Sequence, residues 1–303
     1  MPELPDLVHI ETVLARTVCR LPIVDARMGD PVVLRMMVHE PFPALLLGKR
    51  IQAVKRVGQF LRFSLDGDLV LVVNAMLTGR YRWLAAGKGR GDKSQSKDLI
   101  LALRFEDESE LQYLDETRMG KIYVARALEK VEIPGFSQLG VDLLSPDFTL
   151  DHFRNLLAGR RDQVRQFLLD KTALASIGNA YADEILFTAR LHPKTLCKQL
   201  APQDADRLFV SVQDTLTWAI REIETRDQPI EIKVRAFLKV RGRAGQPCTN
   251  CGTVIRRVRV GRDDACFCPT CQPATRKLYV DFSRLPGKAD RKDKQEGTED
   301  PRR

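Results

Sequence analysis

At 303 residues the chain exceeds one ordinary domain and is expected to fold as two units, each with its own core. No run of eighteen apolar residues and no charged-then-apolar leader is present, so neither a membrane span nor a secretion signal is expected, and the chain is placed in the cytoplasm, near the nucleoid. The net charge of +9 is unevenly spread: residues 1–150 carry 20 Lys and Arg against 20 Asp and Glu, whereas residues 151–285 carry 23 against 15, which points to a polyanion, most often nucleic acid, gripped mainly from one side.

In chain order, Leu7 to Val18 carries the only clear helical pattern of the first half. Short β-rich stretches follow from Arg50 to Trp83, among them Phe60–Leu65 and Leu69–Val73, which the turn residues Asp66, Gly67 and Asp68 join as a hairpin. Gly87 to Lys97 reads as an exposed loop, and Leu99–Phe105 and Glu110–Leu114 resume strand character. Residues 1–133 are therefore expected to form a β-sandwich or barrel opened by one helix. Proline and glycine at 134–149 mark a connector. Helical spacing recurs at Leu150–Leu157, Val164–Leu169, Ala180–Ala189 and Leu208–Glu222, so 150–240 should be a helical domain. Residues 241–285 hold a cysteine cluster, and 286–303, with almost nothing apolar, are expected to be a disordered tail. The fold class is α+β.

Cys19 and Cys197 stand alone, while five cysteines crowd between 248 and 271, a distribution that suits a metal site better than a disulfide framework. Cys248-Thr249-Asn250-Cys251 and Cys268-Pro269-Thr270-Cys271, sixteen residues apart, place two thiolate pairs where a β-hairpin can fold them around one tetrahedral zinc. Cys266 falls outside that spacing. Such a zinc holds a small hairpin folded and does no chemistry. Arg256, Arg257, Arg259 and Arg262 decorate the hairpin and suit contact with phosphates. Between two helical stretches, the Ser176-to-Asn179 turn is expected to present backbone N–H groups and the Asn179 amide to a phosphate.

Ile177-Gly178-Asn179-Ala180-Tyr181-Ala182-Asp183-Glu184-Ile185-Leu186-Phe187, followed by Leu191-His192-Pro193, closely resembles the helix, two turns, helix signature of the formamidopyrimidine-DNA glycosylase/endonuclease VIII family. Met1-Pro2-Glu3-Leu4-Pro5 resembles that family's opening, and Gly242 to Cys248 with the two cysteine pairs resembles its end. The resemblance spans residues 1 to 283. It implies an N-terminal β-sandwich joined to a helix-two-turn-helix domain with a zinc-finger β-hairpin, a monomer, and damaged or abasic duplex DNA bound between the two units. It also implies glycosylase and abasic-site lyase activity. Once Met1 is removed, the secondary amine of Pro2, with a pKa near 8, is partly neutral and can attack the sugar C1′. The base leaves, and the resulting Schiff base allows strand cleavage by elimination. Glu3 is the natural proton carrier.

Several positions depart from the family. Gln59 stands where a lysine normally contacts DNA at the lesion, and an amide cannot act as a point charge. Leu77, with Met76 beside it, stands at a methionine position, and Asn74 stands where histidine is common. In Asp115-Glu116-Thr117-Arg118-Met119-Gly120, Thr117 occupies the place of an arginine that reads the opposite base, and Met119 the place of a phenylalanine wedge. Asp263 replaces a phosphate-binding arginine, with Arg262 one position earlier. The expected DNA contacts are therefore Gln59, Leu77, Arg118, Met119, Asn179 and Arg262. A second reading is a damage-binding protein with little base excision, and a third is a plain zinc-ribbon nucleic-acid binder. Retention of Pro2 and Glu3 favours catalysis over both.

Overall fold

A computed structural model describes residues 1–87, 96–126 and 132–274. The expected tail, the end of the zinc unit and most of the Gly87–Lys97 loop lie outside the described residues.

Helix α1 (Leu4–Thr17) begins three residues earlier than its apolar periodicity suggested, because Pro5 fits the first turn, where the missing N–H has no partner to lose. Its faces serve two cores. Leu7, Ile10 and Leu14 pack into the sandwich, each contributing about 1.5–3 kcal/mol by burial, whereas Leu4 and Val8 pack into the helical core. The start of the chain is thereby fixed at the junction of the two units.

The sandwich has a four-stranded sheet in the order β1 (Ile23–Met28), β7 (Leu99–Phe105), β8 (Glu110–Leu114), β6 (Arg80–Leu84). Its five-stranded partner runs β2 (Leu34–Met36), β9 (Lys121–Arg126), β5 (Leu69–Asn74), β4 (Phe60–Leu65), β3 (Ile51–Val57). Every pairing is antiparallel except β2 with β9. The β4–β5 hairpin closes through Gly67 and Asp68, both at positive φ. The unbroken apolar run of β5 is explained by burial on both faces. Leu69, Leu71 and Val73 point into the sandwich core, while Val70 and Val72 pack with Phe60, Tyr123 and Ile133 on the other side.

Helices α2 (Leu150–Leu157), α3 (Val164–Leu169), α4 (Asn179–Thr188) and α5 (Pro202–Arg226) surround a core centred on Phe148, Phe153, Phe167 and Phe209. Helix α5 outruns the stretch Leu208–Glu222 at both ends, starting on Pro202 and stopping at left-handed Asp227. Strands β10 (Arg256–Val260) and β11 (Asp263–Phe267) form the last hairpin, whose Phe267 ring meets His192 edge-on at 4.7 Å and docks it on the helical unit. Among the described residues no helix is long and apolar enough to cross a membrane.

Candidate active site and DNA cleft

A cleft of about 550 Å³ opens where the two units meet, lined by Met1, Glu3, Leu77, Met119, Asn179 and the cations Lys233, Arg235 and Arg241, among others. Glu3 is its buried acid, only 7% exposed. Its extended backbone precedes α1, so the side chain reaches across to the start of α4. There Oε2 accepts from the N–H groups of Gly178 and Tyr181 at 3.0 and 3.1 Å, and Oε1 accepts from Ala180 at 3.0 Å. Glycine is required at 178, since a Cβ there would come within 2.4 Å of the Glu3 carboxyl carbon. The donors expected to hold a phosphate thus hold an internal carboxylate, because Leu4, bonded through its N–H to the Ser176 carbonyl, brings the chain terminus against that helix end. Burial raises the Glu3 pKa above the usual carboxylate range, against the lowering effect of the Ala180 and Tyr181 N–H groups and of Arg235. Arg235 itself forks onto Asp6 at 2.7 and 2.5 Å, and Asp6 accepts from the Glu3 N–H at 2.8 Å.

The terminal amine of Met1 donates to the Leu77 carbonyl at 2.6 Å. Its pKa is lowered to about 5, first by burial and then by the neighbouring Lys233 charge. Pro2, next in line, is buried.

The opposite lip comes from the sandwich. The Asn74 side chain accepts from the Met76 N–H at 3.1 Å, a local turn that projects Leu77 into solvent, where it is 59% exposed. Asp115 fastens the second loop to the first. It accepts from the Thr78 hydroxyl and from the Gly120 N–H, and Thr78 meets the Thr117 hydroxyl at 2.6 Å. Met119, at the far end of that loop, is 46% exposed and lines the cleft. Leu77 and Met119 are therefore surface side chains held over the cleft and take no part in the core. Arg118 turns elsewhere: it adopts positive φ and its Nε donates to Asp30 at 2.5 Å. Gln59 is buried in the β3–β4 turn with its carbonyl oxygen unpartnered.

On the helical side, fully buried Arg165 organises the surface. It donates to Asp183 at 2.8 Å, to the Asn179 side-chain oxygen at 2.8 Å and to the Asp264 carbonyl at 3.3 Å, tying α3, α4 and β11 together. Its grip on the Asn179 oxygen orients that amide, leaving the NH₂ side for a ligand. Asp183 also accepts from Arg241 and from the Cys266 N–H, both at 2.9 Å. Glu184 accepts from the N–H groups of Lys239, Val240 and Arg241, each at 2.9 Å. The acids of the signature stretch are thus internal anchors. Arg165, Lys233, Arg235 and Arg241 were missed from sequence, because partners such as Arg235 and Asp6, 229 positions apart, leave no local signal. Arg262 occupies the exposed two-residue turn between β10 and β11, after Gly261 at φ +62°. Asp263 pairs with Val260 in a regular hairpin register.

The sulfurs of Cys248, Cys251, Cys268 and Cys271 all lie within 4.8 Å of one another, with close pairs at 3.5 to 3.9 Å, near the ~3.8 Å separation of thiolates on tetrahedral zinc. The Asn250 N–H points at the Cys248 sulfur and the Cys271 N–H at the Cys268 sulfur, both at 3.4 Å, as thiolate ligands require. The donor set fits one structural zinc. Cys266 lies outside it, buried on β11.

Three family models match in order: the formamidopyrimidine-DNA glycosylase N-terminal domain over residues 1–122, the glycosylase H2TH domain over 139–228, and a zinc finger found in FPG and IleRS over 245–274. The formamidopyrimidine-DNA glycosylases of Exiguobacterium sibiricum and Heliobacterium modesticaldum are each 32% identical to the chain, over 278 and 279 residues, covering 90% of it and 99% and 100% of those proteins. Among solved structures, Lactococcus lactis Fpg with an abasic-site DNA superposes with a TM-score of 0.78 at 26% identity, and its complex with an oxidised-pyrimidine DNA with 0.79 at 27%. Both alignments cover 90% of this chain and all of the other. The chain belongs to the formamidopyrimidine-DNA glycosylase family of base-excision repair enzymes, with one structural zinc.

Proposed function

We propose that the mature chain, with Met1 removed, excises a damaged base from duplex DNA and cleaves the abasic site through the Pro2 amine. The neutral amine attacks C1′ of the flipped nucleotide. The C1′–N bond breaks and the base leaves with a proton; the C1′–O4′ bond then opens as O4′ is protonated, so that an iminium joins Pro2 to the ring-opened sugar. Loss of a C2′ proton then expels the 3′ phosphate. Glu3 donates a proton to the sugar ring oxygen and takes one back later. Carrying this reading is the buried Glu3 carboxyl, held by three backbone N–H groups one residue from Pro2 at the chain terminus.

Leu77 and Met119 fill the gap left by the flipped nucleotide, while the Asn179 amide and Arg262 bear on phosphates. Gln59 and Arg118 contact DNA only if their side chains turn from their present positions. The catalytic unit is assigned to 1–133 and the DNA-gripping units to 150–240 and 241–285, about the 134–149 connector. The enzyme acts as a monomer inside the cell, on nucleoid DNA.

Borohydride trapping on a duplex with one abasic site tests the chemistry. A covalent band is expected from the processed protein and from Pro2→Gly, whose amine is primary, and none when a residue precedes Pro2. Tight binding without a band would leave a damage-binding protein.

A further inference from the structure

A partly buried ammonium sits at the chain terminus and, among the described residues, forms no salt bridge. Lys171 follows α3, and its Nζ donates to the thioether sulfur of Met1 at 3.4 Å. Thioether sulfur is a weak acceptor. Among the described residues Lys171 forms no salt bridge, although a desolvated cation is normally paired. Burial lowers its pKa, while the field of Glu3 opposes the shift. Among the described residues its acceptor therefore belongs to the residue that the chemistry of Pro2 requires to be absent.

The backbone around Lys171 is tightly fixed. Its carbonyl accepts from the Gly140 N–H at 2.8 Å, and a Cβ on Gly140 would lie 2.2 Å from the Ala173 backbone. Leu139 in turn packs on the Gly58 turn that carries Gln59: a Cβ on Gly58 would meet its side chain at 2.7 Å. Lys171 thus approaches the terminus from the helical unit, next to the segment whose Leu139 packs on the turn that carries neutral Gln59.

We propose that Lys171 is a DNA-contacting cation of the reaction site, covered by the Met1 side chain in the nascent protein and uncovered by Met1 removal, where it meets a phosphate of the reacting nucleotide. The proposal rests on the cleft being the DNA site. It supplies from the helical unit a point charge that Gln59 lacks.

The test measures binding alone, so its failure is distinct from failure of the lyase chemistry. Affinity for a duplex carrying a reduced, uncleavable abasic-site analogue is followed against salt for wild type, Lys171→Gln and Lys171→Arg. Each is prepared with Met1 removed and with Met1 retained by inhibiting the processing aminopeptidase. In the processed protein Lys171→Gln is expected to weaken binding about tenfold at 100 mM salt and to flatten the slope of log affinity on log salt by about 0.9. Lys171→Arg stays within threefold. With Met1 retained, Lys171→Gln changes nothing. Equal losses with and without Met1, equal losses for Gln and Arg, or no loss in the processed protein would each overturn the proposal.

Discussion

Glu3→Gln separates what the buried carboxyl does for catalysis from what it does for the fold. Placed with its oxygen at the Oε2 position, the amide keeps the bonds from Gly178 and Tyr181 but turns its NH₂ toward the Ala180 N–H, a loss of about 1–3 kcal/mol. Against this, the variant no longer buries a negative charge beside Asp6, and each unit by which the folded carboxyl lies above its ordinary 4.5 is worth about 1.4 kcal/mol at neutral pH. The two effects are of similar size. The melting temperature at pH 7 should therefore move by only a few degrees, while single-turnover base excision falls by roughly 10²–10⁴, the usual contribution of a positioned acid. The sign with pH follows from the raised pKa. A protonated Glu3 contributes stability that is fully present below 4.5 and is lost as pH rises through the folded pKa, and glutamine has no such loss. Melting curves of both proteins from pH 4 to 7 should show the variant gaining on wild type as pH rises. If wild type gains instead, the three N–H donors outweigh burial, the carboxylate is held ionised, and Glu3 is no ready acid at neutral pH.

Leu77→Ala should leave stability within about 0.5 kcal/mol, because a side chain 59% exposed has little burial to lose, yet lower excision from duplex about tenfold. A substantial fall in melting temperature would return Leu77 to the core. Thr117→Arg, on the exposed loop fastened by Asp115, should add a bidentate contact to the base opposite the lesion and sharpen discrimination among opposite bases by about 1–3 kcal/mol, or 5- to 150-fold in rate ratios; an unchanged ranking across the four opposite bases would refute it. Zinc chelation or Cys268→Ser should unfold the β10–β11 hairpin and free Arg262 from its place, weakening duplex binding at least tenfold, whereas amide exchange in the sandwich stays as in wild type.

Much of the fold was legible because its strongest signals are local. The edges of α2, α3, β7 and β8 fall where apolar spacing placed them, and the cysteine spacing located the zinc ligands. Strands β1, β2 and β9 gave weaker signals. β2 is three residues long and mostly exposed, so its pairing with β9 comes from the tertiary setting. At the site, Pro2, Glu3, Leu77 and Met119 were all candidates by resemblance. The partner of Glu3 was not. A turn of the Gly178-Asn179 kind reads as an anion site from sequence, and the anion it holds lies 175 residues away in the same chain. The partner of Arg118 was hidden for a similar reason, since Asp30 reaches its guanidinium from 88 residues upstream.

The contact between Glu3 and α4 also ties the proposed acid to the joining of the two units. Glu3 enters from a helix whose Leu7, Ile10 and Leu14 belong to the sandwich, while the N–H groups that hold its carboxylate belong to the helical unit. Leu4 of the same helix lies wholly inside the second core. Hinge motion that separated the units at this seam would have to pull Leu4 out of that core, at about 1.5–3 kcal/mol, and strip a carboxylate of three donors. The seam is therefore the stiff part of the cleft. Adjustment to a bound duplex would come from elements with fewer anchors: the exposed Leu77 and Met119 loops on one side and the zinc hairpin tip around Gly261 and Arg262 on the other. Such a division suits the proposed chemistry, in which one acid and one amine stay in register while damaged bases differ in shape, because the variable contacts would be made by side chains that neither core depends on.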